Sequence, residues 1–305
     1  MNPRILQEAA VRYFLEVVNT GSISDAAAKL HVVPSAVSRQ ISRLESELNA
    51  TLFERQSRGM VPSRAGELLA AYARRSLLDA EHVSAELDAL RADTETTIRI
   101  ACTEGFATEF LPRVMTQFRR DHPSARFNLA VAAASVVTRQ VREAEVDLGL
   151  TFSLGPARDI HVKYSQPAPM LAVVAPSHVL ARRSEVSLRE LFEHPLALPG
   201  PNSTLRQLLD IYCSREGINY KSVLDSETLE TLLNFSLSGE AVTFSGELFL
   251  RSRLARGQLV ALPVPELHVS DRNIEVQTLA RRDLPPLMEA FIATVKVWLP
   301  APSAQ

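Results

Sequence analysis

Two cysteines, Cys102 and Cys213, are all that this 305-residue sequence contains. That is too few for a disulfide framework, and it points to a reducing cytoplasm. No apolar run approaches the length needed to span a bilayer. Met1 to Arg4 leads straight into an amphipathic pattern, without the features of a secretory leader. The seven histidines are scattered, with neither HExxH nor paired metal-ligand spacing. GxSxG, Walker A and GxGxxG patterns are missing too, so nothing nominates a hydrolase elbow, a phosphate loop or a dinucleotide fold. Formal net charge is only −2, which excludes a globally basic nucleic-acid protein. Any DNA contact must come from a local patch.

What is present is ample apolar material, 46% of residues, and a length that suggests two or three domains. The chain is organised around Gly21 to Gly66. Ser24 to Leu30 places Ala26, Ala27 and Leu30 on one helical face, and the small Ala26-Ala27 pair lets a second helix cross closely. A turn at His31 to Val33 leads to Pro34, which suits a first helical position. From there Val37, Ile41, Leu44 and Leu48 recur at helical spacing. The opposite face carries Ser35, Ala36, Ser38, Arg39, Ser42 and Arg43, small residues and arginines suited to base edges and phosphates. Two helices around a short turn, the second polar and basic outward, form a helix-turn-helix. A helical hairpin with a solvated charged face is the bland alternative.

A wider set of residues favours the first reading through a resemblance. Phe14, Gly21-Ser22, Ala26-Ala27, Leu30, Ala36-Val37-Ser38, Ile41, Leu44-Glu45, Leu48, Leu52-Phe53, Arg55, Arg58 and Ala65-Gly66 together resemble the LysR-type transcriptional regulators. The resemblance implies a winged helix-turn-helix over residues 1–62. Leu52 to Pro62 would be the wing, with Phe53 anchoring it and Arg55 and Arg58 turned to a phosphate backbone. Glu45 falls in the family's Leu-Glu step and is expected to make a structural contact. The chain departs from the family at Val33-Pro34-Ser35: the glutamine that often reads a base is missing, and Val33 is a poor helix cap. Base reading is therefore assigned to Ser35, Ser38 and Arg39.

A helix from Arg64 to Ala92 comes next. Leu69, Ala73, Ser76, Ala80, Val83, Leu87 and Leu90 recur in steps of four and three, the period of a coiled-coil seam. The spacing predicts a dimer through residues 63–95, against a helix packed on its own body as the other reading. The resemblance implies a dimerising linker helix and extends the assembly to a homotetramer.

Residues 96–305 alternate strands and helices. Expected strands lie at 98–101, 127–131, 147–151, 170–175, 196–198, 222–225, 241–244 and 273–281. Expected helices lie at 107–121, 135–145, 187–192, 204–216, 227–238 and 287–299. The opening βαβαβ order argues for a parallel sheet with helices on both faces. The resemblance implies a two-lobed α/β effector domain like a type 2 periplasmic binding protein. Lobe 1 would hold about 96–166 and 268–300, and lobe 2 about 167–267. The overall class is α + α/β.

The family's effector lies between the lobes. Carried onto this chain, its contacts are Thr103, Glu104, Phe106, Ala134, Ser135, Thr151 and Phe152 from lobe 1. Lobe 2 supplies Asn202, Ser203, Thr204, Phe244 and Ser245. Backbone N–H groups near Ser135 and Ser203 would suit a carboxylate effector. Glu104 would repel one; either it points to solvent or pairs with an arginine such as Arg206, or the effector carries an amine or hydroxyls. Gly246, where the family usually has proline, would loosen that rim. No cofactor or metal is implied. The partners implied are promoter or operator DNA, a second copy of the chain and, through the promoter, RNA polymerase. Two rival readings are an enzyme with Thr103, Ser135 or Ser203 as nucleophile, and a solute-binding protein with a helical head. No base is placed beside any of those hydroxyls.

Overall fold

The computed structural model describes residues 6, 9–56, 59–89, 96–267, 272–280 and 282–299. The chain divides near residue 92 into an N-terminal unit and a larger C-terminal one.

In the N-terminal unit, α1 (Ala9–Thr20), α2 (Ile23–Lys29) and α3 (Pro34–Leu48) pack together, followed by β1 (Phe53–Gln56), β2 (Gly59–Pro62) and the long α4 (Arg64–Ala89). Gly21 ends α1 in the left-handed conformation, φ 68°, which a residue with a Cβ adopts at a cost. Ser22 then caps α2, its Oγ accepting from the Asp25 N–H. Ala26 and Ala27 are fully buried, so the three helices close on one core with Phe14, Val17, Val37, Ile41 and Leu44. Each large side chain removed from water there is worth about 1.5–3 kcal/mol. β1 and β2 form an antiparallel hairpin pairing Phe53 with Pro62 and Gln56 with Gly59. The Met60 N–H donates to the Gly21 carbonyl at 2.9 Å, tying the wing to the α1–α2 turn.

The start of α4 belongs to this core: Leu69, Ala70 and Ala73 are buried. Beyond them Ser76 and Ala80 are exposed, with Leu77 at 48% and Val83 at 56% exposure. The seam therefore divides, its first two members packed on their own body and the next three open. Leu87 and Leu90 lie outside the described side chains.

The C-terminal unit begins with β3 (Thr96–Cys102), a π-helical turn (Phe106–Phe110), α5 (Leu111–Asp121), β4 (Ala125–Val131), α6 (Ala134–Arg142), β5 (Leu148–Ser153) and β6 (Ile160–Pro167). It continues through β7 (Leu171–Val174), α7 (Leu188–Leu191), β8 (Leu196–Pro199), α8 (Thr204–Glu216), β9 (Ser222–Ser226), α9 (Leu229–Ser236), β10 (Thr243–Ser245), α10 (Arg251–Ala255) and β11 (Val260–Pro263). Finally β12 (Asn273–Leu279) and α11 (Pro286–Trp298) close the fold. The first lobe is a five-stranded sheet of order β4-β3-β5-β12-β6. β3 runs parallel to β4 and β5, while β12 is antiparallel to both β5 and β6. The parallel order expected of the opening βαβαβ run holds for β4, β3 and β5, and the returning β12 makes the sheet mixed by entering in the opposite sense. In the second lobe β7 pairs antiparallel with β10 and β11, and β8 pairs parallel with β9. A parallel bridge from Leu196 to Val242 joins these two sheets.

Two strands, β6 and β11, were not among those expected. β6 is an edge strand, half exposed along most of its length, so it lacks the apolar run or clean alternation that marks a strand. β11 is four residues ending in proline, a pattern that reads as loop unless a neighbour supplies the ladder. Asp147, which heads the Asp-Leu-Gly-Leu strand, is buried and accepts from Arg99 and from the Arg282 Nη1 at 3.1 Å. Its charge is matched inside lobe 1, so it organises the sheet.

Candidate functional site

A cavity of about 380 Å³ opens between the two lobes of the C-terminal unit, within the size range of small-molecule sites. Its walls are the segments that follow strand ends: Thr103 to Gly105 after β3, Val131 to Ala134 after β4, and Phe152 in β5. Lobe 2 contributes Pro199 and Gly200 after β8, Ser203 to Leu205 opening α8, and Glu227 to Leu229 opening α9. Phe244 to Gly246, Phe249 and Arg272 complete the lining. Ligands in open α/β sheets sit outside the carboxyl ends of strands for the reason visible here: loops and helix starts converge there and leave backbone groups free.

Arg272 is the lining residue that local pattern does not reveal. It precedes β12 at the return to lobe 1, and its carbonyl accepts from the Ala168 N–H at 2.9 Å. Its guanidinium is 3.5 Å from the centroid of the Phe152 ring, and Nε donates to Thr204 Oγ1 at 3.2 Å. The side chain is only 5% exposed. Its Nη1 is buried without a hydrogen-bond partner among the described residues. Burial pulls Arg272 down to about 9, since the charged form loses its hydration. Nothing in the run Asp271-Arg272-Asn273 marks it as buried.

Eight of the twelve nominated residues line this cavity: Thr103, Glu104, Ala134, Phe152, Ser203, Thr204, Phe244 and Ser245. Phe106, Ser135, Thr151 and Asn202 do not. Phe106 is fully buried and stacks behind Phe152 at 5.3 Å, so it supports the wall from the core side. The Thr151 side chain is buried in β5. Ser135 and Asn202 are exposed. Phe249 reaches from lobe 2 into the lobe 1 aromatic cluster, edge-on to Phe106 at 5.3 Å and to Phe152 at 5.6 Å. Gly105 makes room for it: a Cβ there would sit 2.7 Å from the Phe249 ring.

In the N-terminal unit, Ser35, Arg39, Ser42 and Arg43 are exposed along α3, with Ala36 and Ser38 half-buried between them. Val33 occupies the cap position with no side-chain hydrogen bond, as its chemistry requires. Arg39 donates from Nε to the Ser35 carbonyl at 3.4 Å, and Arg43 pairs with Glu47 at 2.7 Å. Arg55 lies in β1 opposite Met60; its side chain, like the whole of Arg58, is outside the described residues. The Glu45 contact is as expected. Its Oε1 accepts from the Leu52 N–H at 2.7 Å and the Phe53 N–H at 3.4 Å, bracing the start of the wing.

Residues 9–67 match the bacterial regulatory helix-turn-helix protein, lysR family, and residues 91–299 match the LysR substrate binding domain. The chain belongs to the LysR family of transcriptional regulators. GltC, a transcriptional dual regulator of Bacillus subtilis, is 28% identical over 285 residues, covering 92% of this chain and 93% of that protein. CbbR of Rhodospirillum rubrum is 26% identical, with 96% of each chain covered. A full-length cysteine variant of OxyR from Pseudomonas aeruginosa shares the fold, with a TM-score of 0.73 at 18% identity over 95% of this chain and 93% of that one. Full-length CbnR complexed with its target DNA gives a TM-score of 0.58 at 18% identity over 98% and 100%.

Within this LysR-family chain two expectations need correction. Glu104 does not pair with Arg206: its Oε2 accepts from the Leu229 N–H at the start of α9, at 2.6 Å. Arg206 instead pairs with Asp225 at 2.7 Å and Asp210 at 3.4 Å. Glu104 thus spends one oxygen on joining the lobes and still faces the cleft. Gly246 is buried with an ordinary extended backbone, φ −86°, and accepts from the Phe249 N–H, so this rim is held by a turn of its own. Cys102 and Cys213 are buried in the cores of different lobes, and burial raises them to about 12 and about 11. They are core thiols with little thiolate character. Membership also sets aside the enzyme reading.

Proposed function

We propose that this regulator reads promoter DNA through α3 and the wing, and that a small effector in the interlobe cleft biases its conformation. Ser35, Ala36, Ser38, Arg39, Ser42 and Arg43 would face the major groove, with Arg55 and Arg58 on the flanking backbone. Two copies, joined along the open part of α4, would present paired units to half-sites one helical turn apart; a tetramer would pair two such dimers. The functional divisions would be residues 1–62 for DNA, 63–95 for dimerisation and 96–305 for the effector, in a protein acting in the cytoplasm beside RNA polymerase.

The observation that carries this reading is the cleft itself, walled by both lobes with buried polar atoms facing it. A ligand that touches both lobes binds their arrangements unequally, and only such a difference can shift the equilibrium. The resulting shift would re-space the DNA-binding units and change promoter bending. Support also comes from the relative solved with its target DNA.

The test is a titration of the full chain against its own upstream intergenic DNA at two salt concentrations, beside an Arg39→Ala/Arg55→Ala variant. Sequence-preferring, salt-sensitive binding is expected. The slope of log affinity on log salt should fall by about 0.9 for each phosphate that the variant no longer neutralises. Equal affinity for random DNA at both salts, or an unchanged slope in the variant, would overturn this assignment of residues.

A further inference from the structure

Taking the cleft as the effector site, on which this inference rests, we propose that the effector is an organic monocarboxylate that also carries a hydroxyl or ammonium group. Its carboxylate would pair with Arg272, and its donor group would reach Glu104 or Glu227.

Three independent features of the cavity lead there. The first is a buried cation whose Nη1 has no hydrogen-bond partner among the described residues. Arg272 is nearly fully buried, its guanidinium stacks on Phe152, and Thr204 takes only its Nε proton. Leaving a buried guanidinium Nη1 without a partner costs free energy that a bound anion returns. A planar carboxylate fits an arginine edge held flat against an aromatic face.

The second feature is a buried hydroxyl without a mate. Thr103 Oγ1 lines the same cavity and has no hydrogen-bond partner among the described residues. Two orphaned polar atoms, one on the lobe 1 wall and one at the hinge, mark a space built to receive polar groups.

The third is the balance of charge. Glu104 and Glu227 face the cleft with Arg272, so the lining carries more negative than positive charge. A dianion such as a phosphate ester would keep one charge unmatched against two carboxylates, whereas a monoanion pairs with the guanidinium and its hydroxyl or ammonium group answers a carboxylate. Glu104 keeps one oxygen beyond its bond to the Leu229 N–H, and Glu227 is exposed over Gly200. Carboxylates so placed accept from hydroxyl or ammonium groups. The remaining walls, Phe152, Phe249 and the Ala132–Ala134 turn, suit a compact apolar frame between the two ends.

Thermal melting and calorimetry of the full chain would test this with a panel of hydroxy- and amino-monocarboxylates. Each would be paired with its primary amide, its methyl ester and the analogue lacking the hydroxyl or amine, with sulfate and inorganic phosphate run alongside. The expected result is stabilisation by one group of acids and not by their amides or esters. Binding of those acids should weaken about ten- to hundredfold in Arg272→Met, through removal of one charge-assisted pair. Arg272→Lys should recover part of it, and removing the ligand's donor group should cost a further severalfold. If Arg272→Met folds poorly, the acid-against-amide comparison and Thr103→Val, expected to bind more weakly, carry the test.

Amides binding as well as acids would overturn the proposal, as would acid preference that survives Arg272→Met. So would sulfate or phosphate stabilising as much as any acid, an adventitious ion only, or no acid stabilising at all. Ala133→Trp, which fills the cleft, separates the premise from the inference. Neutral compounds that lose binding in Ala133→Trp would leave the cleft standing and remove only the carboxylate. Acids that bind Ala133→Trp undiminished would remove the cleft as well.

Discussion

At the residue scale, Arg272 and Glu45 show opposite treatments of a charged side chain. Glu45 receives two backbone N–H groups, from Leu52 and Phe53, so Glu45→Ala leaves two donors without their acceptor. A loss of about 1–3 kcal/mol is expected in urea titration of the full chain, with Glu45→Gln losing less because it keeps an acceptor. Arg272 is the reverse case, a buried cation whose Nη1 has no partner among the described residues. Burial lowers it to about 9, well below an arginine in the unfolded chain. Between those values the unfolded chain binds more protons, so this group makes stability rise with pH; below about 9 its penalty is constant and full. Ligand-free Arg272→Met is therefore expected to be more stable at neutral pH by about 1 kcal/mol, and the advantage should shrink above about pH 9 in parallel melts. Glu45 is legible in the sequence because a whole pattern of fixed neighbours surrounds it. Arg272 is not, since burial of a lone arginine beside a strand is a property of what packs over it.

At the scale of elements, close approach explains the glycines that matter. A Cβ on Gly66 would run into the Leu52 carbonyl, a backbone atom that cannot swing aside. Gly66→Ala is expected to cost about 1–3 kcal/mol and to loosen the wing, seen as faster hydrogen exchange at the Leu52 and Ser63 amides. Gly105 faces the ring of Phe249 instead. Gly105→Ala should displace that ring from its place against Phe106 and Phe152, weakening the hold of lobe 2 on lobe 1. The expected signature is a lower melting temperature and a larger radius of gyration for the C-terminal unit in small-angle scattering; an unchanged radius would count against Phe249 as the clasp. Helices are the most legible elements because each buries one face at a constant step. β6 and β11 escape notice because an edge strand, or four residues ending in proline, acquires its ladder from neighbours distant in sequence. The antiparallel entry of β12 is hidden for the same reason.

At the scale of the whole molecule, the open half of α4 governs assembly. Leu77 and Val83 are exposed on a helix whose first turns are already committed to the N-terminal core, and a second copy is the proposed cover for them. Val83→Asp is expected to shift sedimentation towards the single chain and weaken binding to a two-half-site operator far more than to one half-site. A sedimentation profile identical to wild type would remove α4 from the interface. The sequence alone settled the order of parts, the helix-turn-helix and the family, because these depend on spacing within one element and on residue types repeated in register. Eight of the residues carried over from the family resemblance line the interlobe cavity. The tertiary structure alone decided how β12 enters the sheet, that Glu104 bonds the start of α9, and that Arg272 lies buried in the cleft lining with its Nη1 unpartnered among the described residues. Those are outcomes of desolvation and of contacts between segments far apart in the chain, which no local pattern records.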